Sequence, residues 1–520
     1  MAFSHYSHLS LTGSWFVILA VLRRTNNNYM WLCIQFLVVV LLVLISTPTF
    51  AAQLLFTPSL EIKETYTDNV TFSDPGKEDF ITEVNPGFAL QADGNRLNAS
   101  VGYTLQNIFY AKELRRDARF HNLAADATAE LIKNFAFLNL KASDSQRVIS
   151  PSGGLPLDNL NAANRTDVSA RSIKPYFKKR FGGKAEGSAS YSYETVTYGG
   201  GASDAEIEAV TVELDSGPSF RRMSWSLSYS QNTTKRGETS NYSRESSALQ
   251  AGYQINKKLG VLFRAGNERN DLATPQNQGF RNGSYYASGI SITPHSTFRV
   301  DLLSGNRLDT ASISWAPTRR SALDISWRDQ KVGLNPGKVW QGALRVINRR
   351  ATWRASYLED TTSVQGLQSL GSNPQGAQSA NLSSSALPLS DELFLRKRAQ
   401  MDFGYKTAKS LISVALYSER RELLVSSDNQ QLRGGTVSWR WRLAARTTML
   451  LRFRGLKSEY PDGAGARVGA NLRSTDINFS RKMGRSAEGS VMVRSTSQDG
   501  LAGGRSYDEK RLSVSVKWGF

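Results

Sequence analysis

Two kinds of side chain in this sequence could do chemistry, and they point in different directions. Acid–base or nucleophilic catalysis needs an imidazole or a thiol within reach of the reacting group. The chain holds one cysteine, Cys33, and four histidines. Arginines are abundant, and many stand singly between apolar neighbours: Arg264, Arg299, Arg328, Arg345, Arg354, Arg440, Arg442, Arg452, Arg454 and Arg494. A guanidinium is permanently charged and presents a rigid fork of donors, so a wall of them steers or binds anions and does not break bonds.

The catalytic option narrows quickly. Cys33 lies in the apolar run Trp31 to Ile45, which follows Arg23 and Arg24 and precedes Thr49-Phe50-Ala51. That pattern predicts a cleavable signal peptide over residues 1–51, with Met30 as a second candidate start, and a mature chain from 52 to 520 without a thiol. Cysteine nucleophiles, Cys-based zinc sites and disulfides are then excluded. His121 and His295 remain, expected at an external rim and in a periplasmic turn, too far apart to share a site. We expect no catalytic residues, no metal and no cofactor. A carboxylate-only glycosidase would escape this reasoning, but no acid pair stands out for it.

The arginines need a scaffold, and period two supplies it. In the last strand Leu512, Val514, Val516, Trp518 and Phe520 alternate with Ser513, Ser515, Lys517 and Gly519, which places the apolar side chains on one face. Val514, Val516, Trp518 and the terminal Phe520 form an assembly signal of the kind read by the bacterial outer-membrane β-barrel assembly machinery. The same alternation recurs at Met223 to Tyr229, Leu249 to Ile255, Leu323 to Trp327, Ala399 to Tyr405 and Val437 to Trp441. Soluble sandwiches alternate too, so the connections decide. Long polar linkers near 67–80, 110–120, 143–165, 198–205, 231–245, 266–283, 304–308, 328–338, 360–395, 419–433, 457–466 and 497–508 take turns with short ones. Long external loops and short periplasmic turns are the mark of a transmembrane barrel.

Twelve long linkers predict an all-β, closed antiparallel transmembrane β-barrel of about 24 strands (range about 18–26, even), each roughly 9–11 residues long, beginning near Ser59. Such a lumen is too wide for its own side chains to fill. The bacterial outer membrane follows as the location, with lipid and lipopolysaccharide as surroundings.

Charge is unevenly placed. Lys plus Arg number 64 against 45 Asp plus Glu, a formal +19. Residues 52–260 balance at 24 and 24, whereas 261–520 carry 38 against 21. Charge on the lipid face costs about 2–4 kcal/mol at mid-membrane, so the strand phase sends the ten arginines above inward, with Lys406 and Lys517. Asp301, Asp324, Asp402 and Asp476 join them. The first half sends Asp126, Glu130, Glu213 and Asp215 inward. A basic wall facing an acidic one would favour anionic, hydrated solutes, an anionic polysaccharide among them. Alternatively, the arginines only solvate a wet interior and pair with loop carboxylates. The turn pairs Lys257-Lys258, Arg319-Arg320, Arg349-Arg350 and Arg481-Lys482, on the expected periplasmic side, read as solvated turn residues; the alternative is that they meet anionic phospholipid of the inner leaflet or an acidic periplasmic partner. Despite a pI near 9.9, singly placed arginines argue against nucleic acid.

The stretch Thr361 to Ser390 contains no charged residue and would either fold into the barrel or stay outside. Near the mature N-terminus run Glu64-Thr65-Tyr66-Thr67-Asp68-Asn69-Val70 and Asp79-Phe80-Ile81-Thr82-Glu83-Val84-Asn85-Pro86-Gly87. Tyr103, Tyr110, Asn164-Arg165-Thr166 and Ser172-Ile173-Lys174-Pro175-Tyr176 follow. With the barrel pattern, these resemble the outer-membrane proteins associated with the PEP-CTERM and exosortase system, a set similar to β-barrel porins. The resemblance implies a role in exopolysaccharide export or in envelope handling of sorted proteins, and it brings no catalytic residues. The reading is a porin-like conduit. The alternatives are a non-conducting structural or adhesive barrel with working surface loops, and a barrel enzyme using loop carboxylates.

Overall fold

The structure, a computed structural model, describes residues 53–149, 157–158, 160, 164–237, 241–271, 282–369, 387–461, 465–501 and 505–520. The expected leader, 1–51, lies outside them. The described residues form 24 strands: β1 (Gln53–Thr67), β2 (Asp79–Asp93), β3 (Leu97–Tyr110), β4 (Ala118–Ile132), β5 (Ala136–Val148), β6 (Arg165–Phe181), β7 (Ala185–Tyr198) and β8 (Ala205–Ser216). Then come β9 (Met223–Lys235), β10 (Tyr242–Gln254), β11 (Leu259–Asn270), β12 (Gly283–His295), β13 (Phe298–Asn306), β14 (Leu308–Thr318), β15 (Ser321–Gln330) and β16 (Gly337–Ile347). The ring is completed by β17 (Ala351–Thr362), β18 (Phe394–Lys406), β19 (Ser410–Leu423), β20 (Asn429–Ala444), β21 (Thr447–Pro461), β22 (Arg467–Met483), β23 (Ala487–Leu501) and β24 (Tyr507–Gly519).

Each strand pairs antiparallel with the next, and β24 closes on β1 with Ser59 opposite Gly519 and Thr67 opposite Arg511. Closure leaves no unpaired edge, which hydrocarbon would not tolerate. Side chains secure the seam: Thr65 and Ser513 hydroxyls lie 2.9 Å apart, and Thr67 Oγ1 donates to Glu509 Oε1 at 2.8 Å. At the periplasmic end Phe520 N donates to the Pro58 carbonyl at 3.0 Å.

The outward phase carries large exposed apolar side chains, among them Ile62, Leu227, Ile290, Ile325, Leu416, Phe453, Ile477 and Val514. Aromatic residues flank this band. Trp353–Phe403 and Trp439–Trp441 sit towards the periplasmic end, Tyr66–Phe80 and Trp327–Trp340 towards the external end. This is the pattern of a surface bathed by lipid tails between two interfaces. Leu416→Arg is therefore expected to destabilise the barrel by about 2–4 kcal/mol in urea unfolding from bilayers. Ala415→Arg, one residue on, faces inward opposite Asp402 and should cost far less.

Three expectations need correction. β1 starts at Gln53, not near Ser59, and most strands exceed 11 residues, with β6 and β22 reaching 17. Fifteen residues span roughly 50 Å, so even strongly tilted strands rise above an apolar band of about 25 Å. The surplus forms an external rim, and several linkers are partly strand: β5 runs to Val148 and β19 to Leu423. The linker at 304–308 contracts to Arg307 alone, in a left-handed conformation with φ of 63°. The rim is lowest at β13 to β16, where strands have 9 to 11 residues.

Candidate functional site in the barrel lumen

Because the outward phase is fixed by its exposed apolar residues, the ladder register assigns the inward phase strand by strand. Arg264, Arg299, Arg328, Arg345, Arg354, Arg440, Arg442, Arg452, Arg454 and Arg494 all lie on it, as do Asp126, Glu130, Glu213 and Asp215. Val514, Val516 and Trp518 face outward on the closing strand, and Phe520 follows them in the same phase.

The structure sorts these residues into groups that the strand phase alone could not reveal. Arg264, Arg299, Arg328 and Asp215 line one cavity of about 570 Å³ together with Ser226, Gln250 and Gln341. Arg299 Nε donates to Asp301 at 2.8 Å there. Arg345 and Arg354 stand directly opposite one another, in a recess shared with Asp324 and Asp402. Arg442 Nη2 donates to the Ala408 carbonyl at 2.9 Å and is spent on a turn. On the opposite wall Asp126 lies 3.9 Å from Lys141, and Glu130 accepts from the backbone N–H of Asn134. Glu213 and Asp215 are exposed to the lumen.

Of the remaining four, Arg440 is exposed on the inward phase of β20 opposite Leu411, while Arg452, Arg454 and Arg494 belong to an ion-pair chain. Asp476 accepts from Arg454 and, at 2.8 Å, from Arg494 Nε, with Arg452 at 3.8 Å. Arg494 Nη1 reaches on to Asp158 Oδ2 at 3.0 Å, and Arg511 donates to the same oxygen. Arg511 Nη2 also lies 2.5 Å from Glu509. Asp158 comes from the β5–β6 loop, so a loop carboxylate docks onto the basic wall from inside the barrel. Burial alone would raise the Asp158 pKa, but Arg511 and Arg494 hold its carboxyl well below the usual range. Next to it Leu160 packs with Val70, Ile81, Ile108 and Tyr110, and Tyr110 Oη donates to its carbonyl at 2.5 Å.

A second loop enters from β17. Ser363 caps the short helix α1 (Val364–Gln368) by accepting from Gly366 N at 3.0 Å. Gln365 Nε2 donates to Asp391 Oδ1 (2.8 Å) and to the Ser203 carbonyl (3.2 Å). Asp391 also accepts from Ser203 N (2.9 Å) and Oγ (2.7 Å). Arg147 Nη2 donates to Gln368 Oε1 at 2.7 Å, and Ser369 Oγ to Glu194 Oε2 at 2.8 Å. Arg147 is on β5, and β5 and β17 stand twelve places apart on a ring of 24 strands. The loop therefore bridges the lumen. Val364 joins Val168 and Val196 of one wall to Phe394 and Leu423 of the other in one apolar cluster. Leu387 packs with Val148 of β5 and with Leu432, Leu456 and Leu472 of β20 to β22. Of the uncharged stretch 361–390, the described ends fold inward; 370–386 lie outside the described residues.

His121, on β4, takes part in a 2.8 Å hydrogen bond between its Nδ1 and Tyr103 Oη, while His295 closes β12. The two share no site. Sequence reasoning missed Asp158, Arg511, Glu509 and Asp391. Arg511 is in phase with Ser513, Ser515 and Lys517 and could have been found; the loop carboxylates leave no periodic signal.

A closed antiparallel barrel with an exposed apolar band is built for a bilayer, and the protein is an integral β-barrel of the bacterial outer membrane. No protein-family model matches the chain, and no curated protein matches it. Similar solved structures include the FrpB iron transporter from Neisseria meningitidis (F5-1 variant), at 11% identity over 89% of this chain and 82% of that chain, TM-score 0.46. The siderophore receptor PirA from Acinetobacter baumannii has 7% identity over 89% and 80%, TM-score 0.44. OpdK from Pseudomonas aeruginosa, solved with vanillate, has 9% identity over 89% and 99%, TM-score 0.34. Likeness at that level carries no information about a solute.

Proposed function

We propose that this barrel is a conduit for hydrated anionic solutes, narrowed in its external half by two infolded loops. The observation that carries this reading is the inward face itself. It presents arginines that form no ion pair among the described residues, Arg264, Arg328, Arg345, Arg354 and Arg440, next to hydroxyl and amide groups and, beside Arg345 and Arg354, Asp324 and Asp402. Fixed positive charge in a low-dielectric tube raises the local concentration of anions and lowers that of cations. The finer reading, that the solute is an exopolysaccharide or that the barrel serves a PEP-CTERM and exosortase system, rests on the resemblance of residues 64–70 and 79–87. The outward strand ending in Phe520 would be read by the barrel assembly machinery, and lipopolysaccharide would surround the external rim.

Purified protein in planar bilayers tests the conduit. A salt gradient should give a reversal potential of anion-selective sign; cation preference or no conductance overturns the reading. Loss of surface polymer in a deletion strain, restored by the wild-type chain, would support export.

One observation favours the second reading, a non-conducting structural barrel with working surface loops. Leu387 is wholly buried, and Leu393 and Phe394 nearly so, between opposing walls.

A further inference from the structure

The cavity of about 570 Å³ on the inner wall between β8 and β16 falls within the size range of small-molecule sites. Arg264 and Arg328 both line it. Among the described residues neither forms a hydrogen bond or an ion pair, and the Nε of each is shielded from solvent with no acceptor. A shielded donor without an acceptor is costly, and the ladder holds both side chains' strands in place.

Of the acids near the recess, Asp215 stands exposed at its β8 edge, and the other two are engaged. Asp301 takes Arg299, while Glu268 accepts from Ser246 Oγ at 2.8 Å and from Arg244 Nη2 at 3.3 Å. Arg328 feels the positive charges of Arg264 and Arg244 and, against them, the negative charge of Glu268. The external side is bounded by the apolar cluster of Tyr285, Ala287, Leu308 and Val332. The other side chains at hand, Ser226, Gln250, Ser312 and Gln341, are neutral donors and acceptors. Two guanidinium forks match a carboxylate, and the surrounding hydroxyls and amides match sugar hydroxyls.

We infer that this recess is a binding subsite for a hexuronate, its carboxylate held by Arg264 and Arg328 and its hydroxyls by the neutral side chains. The inference rests on the reading of the lumen as an anion conduit and names the solute class that the conduit would take.

Calorimetric titration of the detergent-purified chain with glucuronate tests it, with glucose as the neutral probe. Saturable glucuronate binding is expected, weakened about tenfold or more in an Arg264→Gln/Arg328→Gln variant, since a charge-assisted fork is lost. Arg319→Gln, in the turn between β14 and β15 and outside the recess, should bind as the wild type does. Arg264→Lys keeps the charge but not the fork and should fall between, which provides a milder variant if the double one fails to fold. No glucuronate binding by the wild type, undiminished binding by the double variant, or equal binding of glucose would overturn the subsite. Conductance without glucuronate binding overturns the subsite and leaves the conduit; binding without conductance overturns the conduit and leaves the subsite.

Discussion

An Asp158→Ala chain is expected to conduct more than the wild type, in bursts and not continuously. The carboxylate is the electrostatic latch of the β5–β6 loop, held by Arg494 at 3.0 Å and by Arg511. Removing one partner of a buried ion pair costs about 3–5 kcal/mol, because the other charge stays behind. Here each arginine keeps one acid, Asp476 for Arg494 and Glu509 for Arg511, so the loss falls at the lower end of that range. Against it stands Leu160, 1% exposed, whose burial contributes about 1.5–3 kcal/mol. The two are comparable, which is why the loop should fluctuate between docked and free. Single-channel recording would show flicker that Asp158→Ala, Leu160→Ala abolishes in favour of a steady higher level. Unchanged conductance in both would mean that the loop does not narrow the path.

The same latch has a pH dependence of defined sign. The Asp158 carboxyl titrates lower in the folded chain than in the unfolded one. Its contribution is then fully present above the ordinary carboxylate pKa, near pH 4, and is lost only as pH falls through the lower folded value. Mild acid should leave the wild-type barrel narrowed.

The sequence made the ring legible for a physical reason. Lipid on one side and water on the other impose period two, and each reversal of the chain interrupts it, so strand number could be read from the connections. The rule fails where lipid ends. Above the membrane the phase inverts: Leu432, Leu456 and Leu472 point inward while Arg433, Lys457 and Arg473 point outward. The inward apolar residues there serve the loops that fill the lumen, and the outward polar ones meet water. Read by the membrane rule, such segments look like loops, which is why the strands came out too short. The arginine phase was legible for the same reason, since Arg452, Arg454 and Arg494 alternate with Leu451, Phe453 and Val493. Their neutralisation was not. Asp158 and Asp391 lie in segments without period, and their positions depend on the closed fold.

Replacing residues 363–393 by a short linker is expected to have the larger effect on the path, because this segment ties wall to wall. The Asp391 carboxylate accepts from Ser203 N, Ser203 Oγ and Gln365 Nε2, its carbonyl accepts from Arg236, and Val364 and Leu387 each fill an apolar cluster drawn from separate parts of the ring. The β-ladder does not depend on them. β17 and β18 would still pair from Thr361 opposite Leu395 down to Ala351 opposite Tyr405, so the barrel should still fold. What changes is the inside of the rim. Val168, Val196, Leu432 and Leu472 lose their apolar partners, burial worth about 25 cal/mol per Å² disappears, and water enters. A ring of this strand number without inserted loops is wide enough for an aqueous channel. Conductance should therefore rise several-fold in planar bilayers, and anion selectivity should weaken as the wider path dilutes the influence of the wall charge. If conductance instead stays at the wild-type level while only surface adhesion or antibody binding changes, the lumen is not the working part of the molecule, and the non-conducting barrel becomes the better account.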